Sequence, residues 1–145
     1  MRIIAQRCTK ASVSVDNKVV GKIGNGLMLL VGFTDTDDEK IIDYMVDKVI
    51  NLRIFDDEDG VMNKSLLDIK GSILSISQFT LYGDASKGRR PSYIKALSGD
   101  RAIVFYDMFN KKIKEHGINI ETGIFGAVME VELINDGPTT IILEK

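Results

Sequence analysis

Apolar and polar positions along the chain predict two amphipathic helices set among strands. Apolar residues recur at helical spacing over residues 37–51 and again over residues 100–116. Thr36 and Glu39 have the spacing of a capping box, which predicts that the first helix begins at residue 37. Gly117 suits the position just after the second helix, where backbones often turn left-handed. Each apolar stripe is expected to pack against the core.

The segments before the first helix are typical of strands. Residues 3–15 and 19–23 are predicted to form a hairpin around residues 16–18 (DNK), because Asp and Asn tolerate left-handed backbone. Residues 27–33 (LMLLVGF) are apolar on both faces, which indicates a central strand covered from both sides. A short strand is expected at residues 52–55.

A fifth strand is predicted over residues 72–82 (SILSISQFTLY), and its last part is polar on one face. With a period of two, Gln78 and Thr80 would share a face with Leu74 and Ile76. A carboxamide and a hydroxyl at this point suit the floor of a site, and equally a strand end that reaches solvent. The pattern alone leaves both interpretations open.

The last third of the chain predicts a half-buried strand, a turn and a final strand. Alternate residues from 127 to 133 are apolar, and Glu130 and Glu132 lie on the other face. The strand is expected to end at residues 135–138 (NDGP) and to resume over residues 139–143. The predicted fold class is therefore α+β: one domain of curved, mostly antiparallel or mixed β-sheets, barrel-like, with two packed α-helices.

Composition limits the classes of function. A length of 145 residues suits one domain, and no apolar run approaches the ~20 residues of a membrane span. A net charge of −2 argues against broad, sequence-independent coating of nucleic acid, although a local basic patch is allowed. The single cysteine, Cys8, excludes an internal disulfide and fits a reducing cytoplasm, and the opening residues lack the pattern of a signal peptide.

Several familiar kinds of site are missing from the sequence. The only histidine, His116, falls in the last turn of the second helix, where capping and dipole interactions explain it. With Cys8 as the only thiol, neither a Ser-His-Asp or Cys-His triad nor a zinc site is expected. Residues 56–60 (DDEDG) do not follow the spacing of a calcium-binding loop and are interpreted as a solvated acidic turn. No metal or cofactor is predicted.

Residues 83–92 form the longest stretch without apolar periodicity. The stretch has two glycines with four residues between them, but it lacks the Lys-Ser/Thr pair of a nucleotide-binding P-loop. Lys87, Arg89 and Arg90 concentrate three cations directly after residues 77–80. These cations suit a phosphate backbone entering a site, and equally an ordinary solvated loop.

Three stretches together resemble the D-aminoacyl-tRNA deacylases of the bacterial and eukaryotic type. They are residues 77–84 (SQFTLYGD), residues 87–92 (KGRRPS), and the C-terminal pair of segments FGA at 125–127 and NDGPTT at 135–140. The two motifs SQxT and NxGPxT are weak singly and specific as a pair. The opening Gln6-Arg7 also fits, and the resemblance covers almost the whole chain.

The resemblance implies hydrolysis of the ester that joins a D-amino acid to the terminal adenosine of tRNA, and action on glycine wrongly attached to tRNA. It implies a catalytic segment formed by Ser77, Gln78, Phe79 and Thr80. Backbone amides near Phe79 and Thr80 would hold the developing oxyanion, and Gln78 or Thr80 would orient water or the ester. A threonine without an adjacent base is a poor nucleophile, so a positioning role is expected for Thr80.

The resemblance also implies a homodimer with composite active sites. A cis-proline turn at Gly137-Pro138 would enter the partner's site, where main-chain carbonyls leave no room for an L side chain. Arg7 would orient that turn, and Phe125 and Met129 would line the adenosine pocket. The aminoacyl-tRNA 3′ end is thus the expected partner, in the cytoplasm.

Two alternatives belong to other classes. The first is a non-catalytic RNA- or DNA-binding module that uses Lys87, Arg89 and Arg90; it predicts binding without ester cleavage. The second is a general small-ester or peptide hydrolase, which predicts turnover of free amino-acid esters. Without the resemblance, Gly137-Pro138 would be interpreted as a plain turn, and Phe125 and Met129 as core residues.

Overall fold

A computed structural model describes all of residues 1–145. No helix in it is long and apolar enough to cross a membrane. The chain forms eight strands and two α-helices, with one short 3₁₀ helix before α2. In chain order these are β1 (Arg2–Val15), β2 (Lys18–Ile23), β3 (Gly26–Gly32), α1 (Glu39–Ile50), β4 (Phe55–Asp56), β5 (Met62–Lys64), β6 (Ser72–Ser77), the 3₁₀ helix (Phe79–Tyr82), α2 (Gly99–Glu115), β7 (Ile120–Thr122) and β8 (Glu130–Glu144).

Six strands form one mixed sheet organised on β1. The first half of β1 pairs with β3 and its second half with β2, while β8 runs antiparallel along nearly all of it. On the other side of β3, the strands β6 and β7 are parallel. The sheet curls until its two ends approach: a Cβ on Gly21 of β2 would lie 2.8 Å from the Thr122 carbonyl oxygen on β7. This nearly closed, barrel-like sheet with two helices confirms the predicted α+β fold class.

Strand alternation divides the core between the two faces of the sheet. Ile73 of β6 faces α1 and α2 and joins the large cluster that contains Met45 and Phe109. Leu74 and Ile76 face the inside of the curled sheet, where they join a smaller cluster with residues such as Cys8 and Val13. The strand is covered on both faces up to the point where the candidate site begins.

The two helices begin and end close to their predicted bounds, but the predicted cap of α1 is wrong. Asp38 caps this helix, since its side chain accepts a 2.9 Å hydrogen bond from the Ile41 N–H. Asp37 instead turns inward, where its carboxylate accepts from the Thr34 N–H and pairs with the amino group of Met1. The helix therefore begins at Glu39, two residues after the predicted start.

The strand predictions need three corrections. The strand expected over residues 72–82 ends at Ser77, because the chain then turns into the 3₁₀ helix. Residues 52–55 contribute only Phe55 to a two-residue strand. The two C-terminal strands are one: β8 starts at Glu130 and continues through residues 135–138, where its register against β1 shifts. The turn is therefore an irregularity within a paired strand, since β1 holds both sides of it.

Candidate active site

A cavity of about 600 Å³ opens where the parallel strands β3 and β6 end. Ligand sites commonly form outside the carboxyl ends of parallel strands, because the loops that follow diverge there. Twelve of its 17 lining residues are hydrophobic, so few polar groups are available to orient a ligand. None of the 17 carries a carboxylate, imidazole, thiol, amine or guanidinium. Any side-chain acid or base would have to come from outside this lining.

The segment at residues 77–80 forms one edge of the cavity. The Gln78 N–H donates a 2.7 Å hydrogen bond to the Val31 carbonyl oxygen, which is the last link between the two strands. The 3₁₀ helix then begins at Phe79, and the Leu81 N–H donates to the Gln78 carbonyl oxygen. The N–H groups of Phe79 and Thr80 come before the first helical bond and have no acceptor within the helix. Two successive amide donors therefore have no acceptor in the helix, and the first belongs to Phe79, which lines the cavity.

The structure separates Thr80 from the other three residues of its motif. Ser77, Gln78 and Phe79 line the cavity, and Thr80 does not. Gln78 Nε2 donates to Thr80 Oγ1 at 2.5 Å, so the carboxamide and the hydroxyl meet through the turn. The expected strand face shared by Gln78, Thr80 and Leu74 is wrong, because the 3₁₀ helix breaks the two-residue period after Ser77.

Phe125 and Met129 line the opposite part of the cavity. The Phe125 ring packs against Tyr106 of α2 with the ring centroids 5.9 Å apart. Burial raises the pKa of Tyr106, so its hydroxyl stays a donor, and it bonds the main chain of β6. Met129 lies across Gly123, where an added Cβ would come within 2.4 Å of the Met129 sulfur. Tyr106 therefore supports the Phe125 ring, and Gly123 supports the Met129 side chain.

Arg7 holds the segment just before the Gly137-Pro138 bond. Its side chain is 8% exposed, and its Nε lies 3.0 Å from Asp136 Oδ2 and 3.3 Å from the Asp136 carbonyl oxygen. Its Nη1 donates to the Ile54 carbonyl oxygen at 2.8 Å and lies 3.2 Å from Asp56 Oδ1. Arg7 therefore joins β1, β4 and the turn in β8.

Asn135, for which the sequence suggested no role, holds the turn itself. Asn135 Nδ2 donates to the carbonyl oxygens of Arg7 and Thr139, both at 2.9 Å, and so clamps the two sides of the turn. Gly137 has φ +116° in front of a cis peptide bond to Pro138, and a Cβ there would lie 2.5 Å from Thr139 Oγ1. Neither Gly137 nor Pro138 lines the cavity of its own chain. The NxGPxT motif was the available signal for Asn135.

The basic loop, formed by residues 84–92, begins and ends beside the cavity. Asp84 and Ser92 exchange backbone hydrogen bonds of 2.8 and 2.9 Å, which close the loop below its cations. The three predicted cations are exposed, and none of them forms an ion pair: Lys87, Arg89 and Arg90. Tyr93 follows the loop and lines the cavity, which the sequence did not suggest.

Comparisons with known proteins agree on one family. The family model described as D-Tyr-tRNA(Tyr) deacylase matches residues 4–144. Two relatives are named D-aminoacyl-tRNA deacylase, and both alignments cover the whole of this chain. The protein from Listeria monocytogenes is 54% identical and is covered over 96% of its length. The protein from Bacillus cereus is 56% identical and is covered over 99% of its length.

Solved structures share the fold. One titled "c-Myc DNA Unwinding Element Binding Protein" has a TM-score of 0.94 at 39% identity. The alignment covers all of this chain and 99% of the chain in that structure. A probable eukaryotic D-amino acid tRNA deacylase has a TM-score of 0.83 at 20% identity over 98% and 97% of the two chains, which supports the fold alone. With a family match over residues 4–144 and full-length relatives above 50% identity, the chain belongs to the D-aminoacyl-tRNA deacylase family.

Proposed function

We propose that this protein hydrolyses the ester bond between a D-amino acid and the terminal adenosine of tRNA, releasing the free amino acid and the tRNA. The observation that carries the proposal is the cavity: no acidic or basic side chain lines it, and the N–H groups of Phe79 and its neighbour Thr80 have no acceptor in the 3₁₀ helix that begins at its edge. Such a site suits an activated ester, which needs positioned water and oxyanion stabilisation more than a strong base. The activity that the close relatives are named for agrees with this chemistry.

In the proposed reaction, water adds to the ester carbonyl carbon, and the negative charge that develops on the carbonyl oxygen is held by the N–H groups of Phe79 and Thr80. Gln78 orients the ester through its carboxamide, which is itself positioned by Thr80. The bond to the ribose oxygen then breaks, and that oxygen takes up the proton that the attacking water loses. The neighbouring ribose hydroxyl of the substrate assists the proton transfer, since the cavity supplies no general base.

The terminal adenosine is assigned to the apolar part of the cavity. A volume of about 600 Å³ lies within the range of small-molecule sites. Phe125 offers an aromatic ring and Met129 a polarisable thioether, and both groups pack well against a purine. The support that Tyr106 gives Phe125 would keep this wall in place.

Discrimination against L-amino acids is assigned to the Gly137-Pro138 turn of a partner subunit. The turn does not line its own cavity, while Arg7 and Asn135 fix its main chain. A rigid main chain placed against the substrate's α-carbon would exclude an L side chain and admit a D side chain or the hydrogen of glycine. On this basis glycyl-tRNA is a second substrate.

The dimer that this arrangement requires would use the face of the sheet turned away from the two helices, beside the smaller core cluster. Leu30, Ile4 and Ile142 lie side by side there across β3, β1 and β8. Ile142 is 65% exposed, and β8 pairs with β1 alone, so its other edge is open. An apolar patch beside an open strand edge favours association with a second copy. A twofold dimer would contain two equivalent composite sites.

Contact with the tRNA phosphates is assigned to Lys87, Arg89 and Arg90. These cations have no carboxylate partner to compete with a phosphate. Few phosphate contacts suffice for the end of a tRNA, which reconciles the net charge of −2 with an RNA substrate. Action on tRNA also places the protein in the cytoplasm.

The deciding experiment is a parallel time course of D-tyrosyl-tRNA, L-tyrosyl-tRNA and glycyl-tRNA with the purified protein and a chelator. We expect loss of the D-tyrosyl and glycyl esters, with the L-tyrosyl ester spared. Uncatalysed hydrolysis of each ester without protein is the control. Survival of all three esters would contradict the proposed activity, and equal loss of both tyrosyl esters would contradict the chiral filter.

A second candidate, binding to nucleic acid without catalysis, is favoured by one observation. The structure at 39% identity is titled as a protein that binds a DNA unwinding element, and the unpaired cations of the basic loop would suit such a ligand. This alternative predicts that single-stranded DNA binds equally well after substitution of Gly137 or Thr80, and that no ester is cleaved. Fluorescence anisotropy on those variants distinguishes the two functions.

A further inference from the structure

From the geometry we infer that Phe79 and Tyr93 form a stacking platform for the base of the nucleotide that precedes the terminal adenosine. The inference rests on the proposed function and names a binding site for the next unit of the same substrate. The occupant is therefore an unpaired base of a single-stranded RNA 3′ end.

The two rings form an exposed aromatic surface at the mouth of the cavity. Their centroids are 5.1 Å apart and their planes are inclined by 69°, an edge-to-face contact that holds each ring in place. Phe79 nevertheless remains 57% exposed and Tyr93 41% exposed. Both residues also line the cavity. Apolar rings that are fixed and yet open to solvent provide a surface on which another flat ring can stack.

Tyr93 is also attached to the basic loop. It directly follows Ser92, which closes the loop against Asp84. At the other end of the loop, Gly83 packs on the same ring, since an added Cβ would lie 2.9 Å from Tyr93 Cε1. Both ends of the cationic loop thus meet at the Tyr93 ring. Contact with Gly83 also fixes the position of the ring from behind.

The combination of rings and cations identifies the chemistry of the occupant. Proteins that bind single strands join a positive groove for the backbone to aromatic side chains for successive bases. Here the cations Lys87, Arg89 and Arg90 have no ion-pair partners and lie in the loop that leads to the rings. A chain whose last nucleoside fills the cavity leaves it past these rings, with its phosphates available to the loop.

The test compares two D-tyrosyl-tRNAs that differ in one nucleotide. The nucleotide before the terminal adenosine is cytidine in one and an abasic ribose in the other, so the phosphates are identical and only the base is lost. The acylated 3′ dinucleotide is ligated to a shortened tRNA, and KM and kcat are measured for each. We expect the abasic substrate to raise KM about 5-fold or more, the lower end of what one stacked base contributes.

Variants then assign the effect to the platform. Tyr93→Leu keeps an apolar side chain without a ring and is expected to bring the KM ratio of the two substrates close to one. Tyr93→Phe keeps the ring and is expected to keep the ratio. Tyr44, a 46% exposed tyrosine on α1 that does not line the cavity, provides the matched control Tyr44→Leu, which should also keep the ratio.

The outcomes separate this inference from the proposed function. Failure to cleave the cytidine substrate contradicts the proposed function. Cleavage of both substrates by the unmodified protein with equal KM overturns the platform, whatever the variants do. A KM ratio that survives in Tyr93→Leu overturns it as well, because the base would then be recognised elsewhere.

Discussion

The Tyr106 hydroxyl donates a 2.7 Å hydrogen bond to the Ser75 carbonyl oxygen, and this bond joins α2 to the strand that leads into the candidate site. The same carbonyl oxygen accepts a longer bond of 3.3 Å from the Gly123 N–H. The Tyr106 ring meanwhile supports Phe125. One buried side chain therefore fixes two separate parts of the cavity wall.

Tyr106→Phe removes that hydroxyl and keeps the ring. We expect the free energy of unfolding to fall by ~1 kcal/mol, the usual contribution of one intramolecular hydrogen bond, as measured by urea denaturation. We also expect KM for D-tyrosyl-tRNA to rise, since Ser75 lies on the strand that leads into the cavity-lining residues Ser77 and Gln78. Tyr44→Phe on the exposed face of α1 is the control. Unchanged stability and KM would contradict the role given to this bond.

The sequence predicted the helices and most strands because their apolar patterns are long and regular. The 3₁₀ helix escaped prediction for a physical reason. Residues 72–82 (SILSISQFTLY) alternate between the two faces as a strand would. The chain turns after Gln78 because β3 no longer pairs with it there, and the alternation gives no sign of this change. The cap at Asp38 was missed because Asp37 is recruited by the Met1 amino group, a contact between residues distant in sequence.

The structure brings most of one contiguous motif to the cavity. Residues Ser77, Gln78 and Phe79 line the cavity as a motif on one strand end would suggest. Tyr93 was missed because its place at the rim depends on the closure of the loop between Asp84 and Ser92. No periodicity in the sequence signals that closure, since the loop contains no regular element.

Phe79→Pro tests the proposed oxyanion donor at residue 79. Proline lacks an N–H and is accepted at the first position of a helix, so the substitution removes the donor with little change to the turn. Phe79→Ala removes the same ring and keeps the N–H, which makes it the matched control. We expect kcat for D-tyrosyl-tRNA to be about 100-fold lower in Phe79→Pro than in Phe79→Ala. Equal kcat values would exclude this amide from the reaction.

Thr80→Val tests whether the hydroxyl of Thr80 is a nucleophile. No base contacts the hydroxyl, whose partner in the structure is the Gln78 carboxamide. We therefore expect the activity of the variant to stay within about 10-fold of that of the unmodified protein, with the loss coming from the freed carboxamide. Rapid quench of the reaction with radiolabelled D-tyrosyl-tRNA should trap no acyl-enzyme. A trapped ester that disappears in Thr80→Val would establish the nucleophilic role instead.

Ionisation of Tyr82 is expected to lower the stability of the protein at alkaline pH. Burial, and then the nearby negative charge of Asp37, raise the pKa of Tyr82 to about 12 in the folded protein. The unfolded chain ionises this phenol near pH 10, so above that pH the unfolded state binds fewer protons than the folded state. We expect the free energy of unfolding to decrease between pH 10 and about 12.

The Tyr82→Phe variant isolates this contribution from the other groups that titrate there. Its stability should decline less steeply than that of the unmodified protein over the same pH range, as measured by urea denaturation at successive pH values. Absorbance at 295 nm follows phenol ionisation directly. Parallel curves for the two proteins would show that Tyr82 ionises alike in the folded and unfolded states.

Ile142→Lys tests the proposed dimer. Ile142 is 65% exposed beside Ile4 on the face of the sheet turned away from the helices, so a lysine there can be solvated in a monomer but would be buried in the proposed interface. We expect light scattering after gel filtration to show a change from dimer to monomer. The monomer should lose its discrimination against L-tyrosyl-tRNA, because the partner's turn would be missing from the site. Val104→Lys, on the exposed side of α2 across the molecule, is the matched control and should remain dimeric. An unmodified protein that is monomeric and still rejects L-tyrosyl-tRNA would mean that the chiral filter lies within one chain.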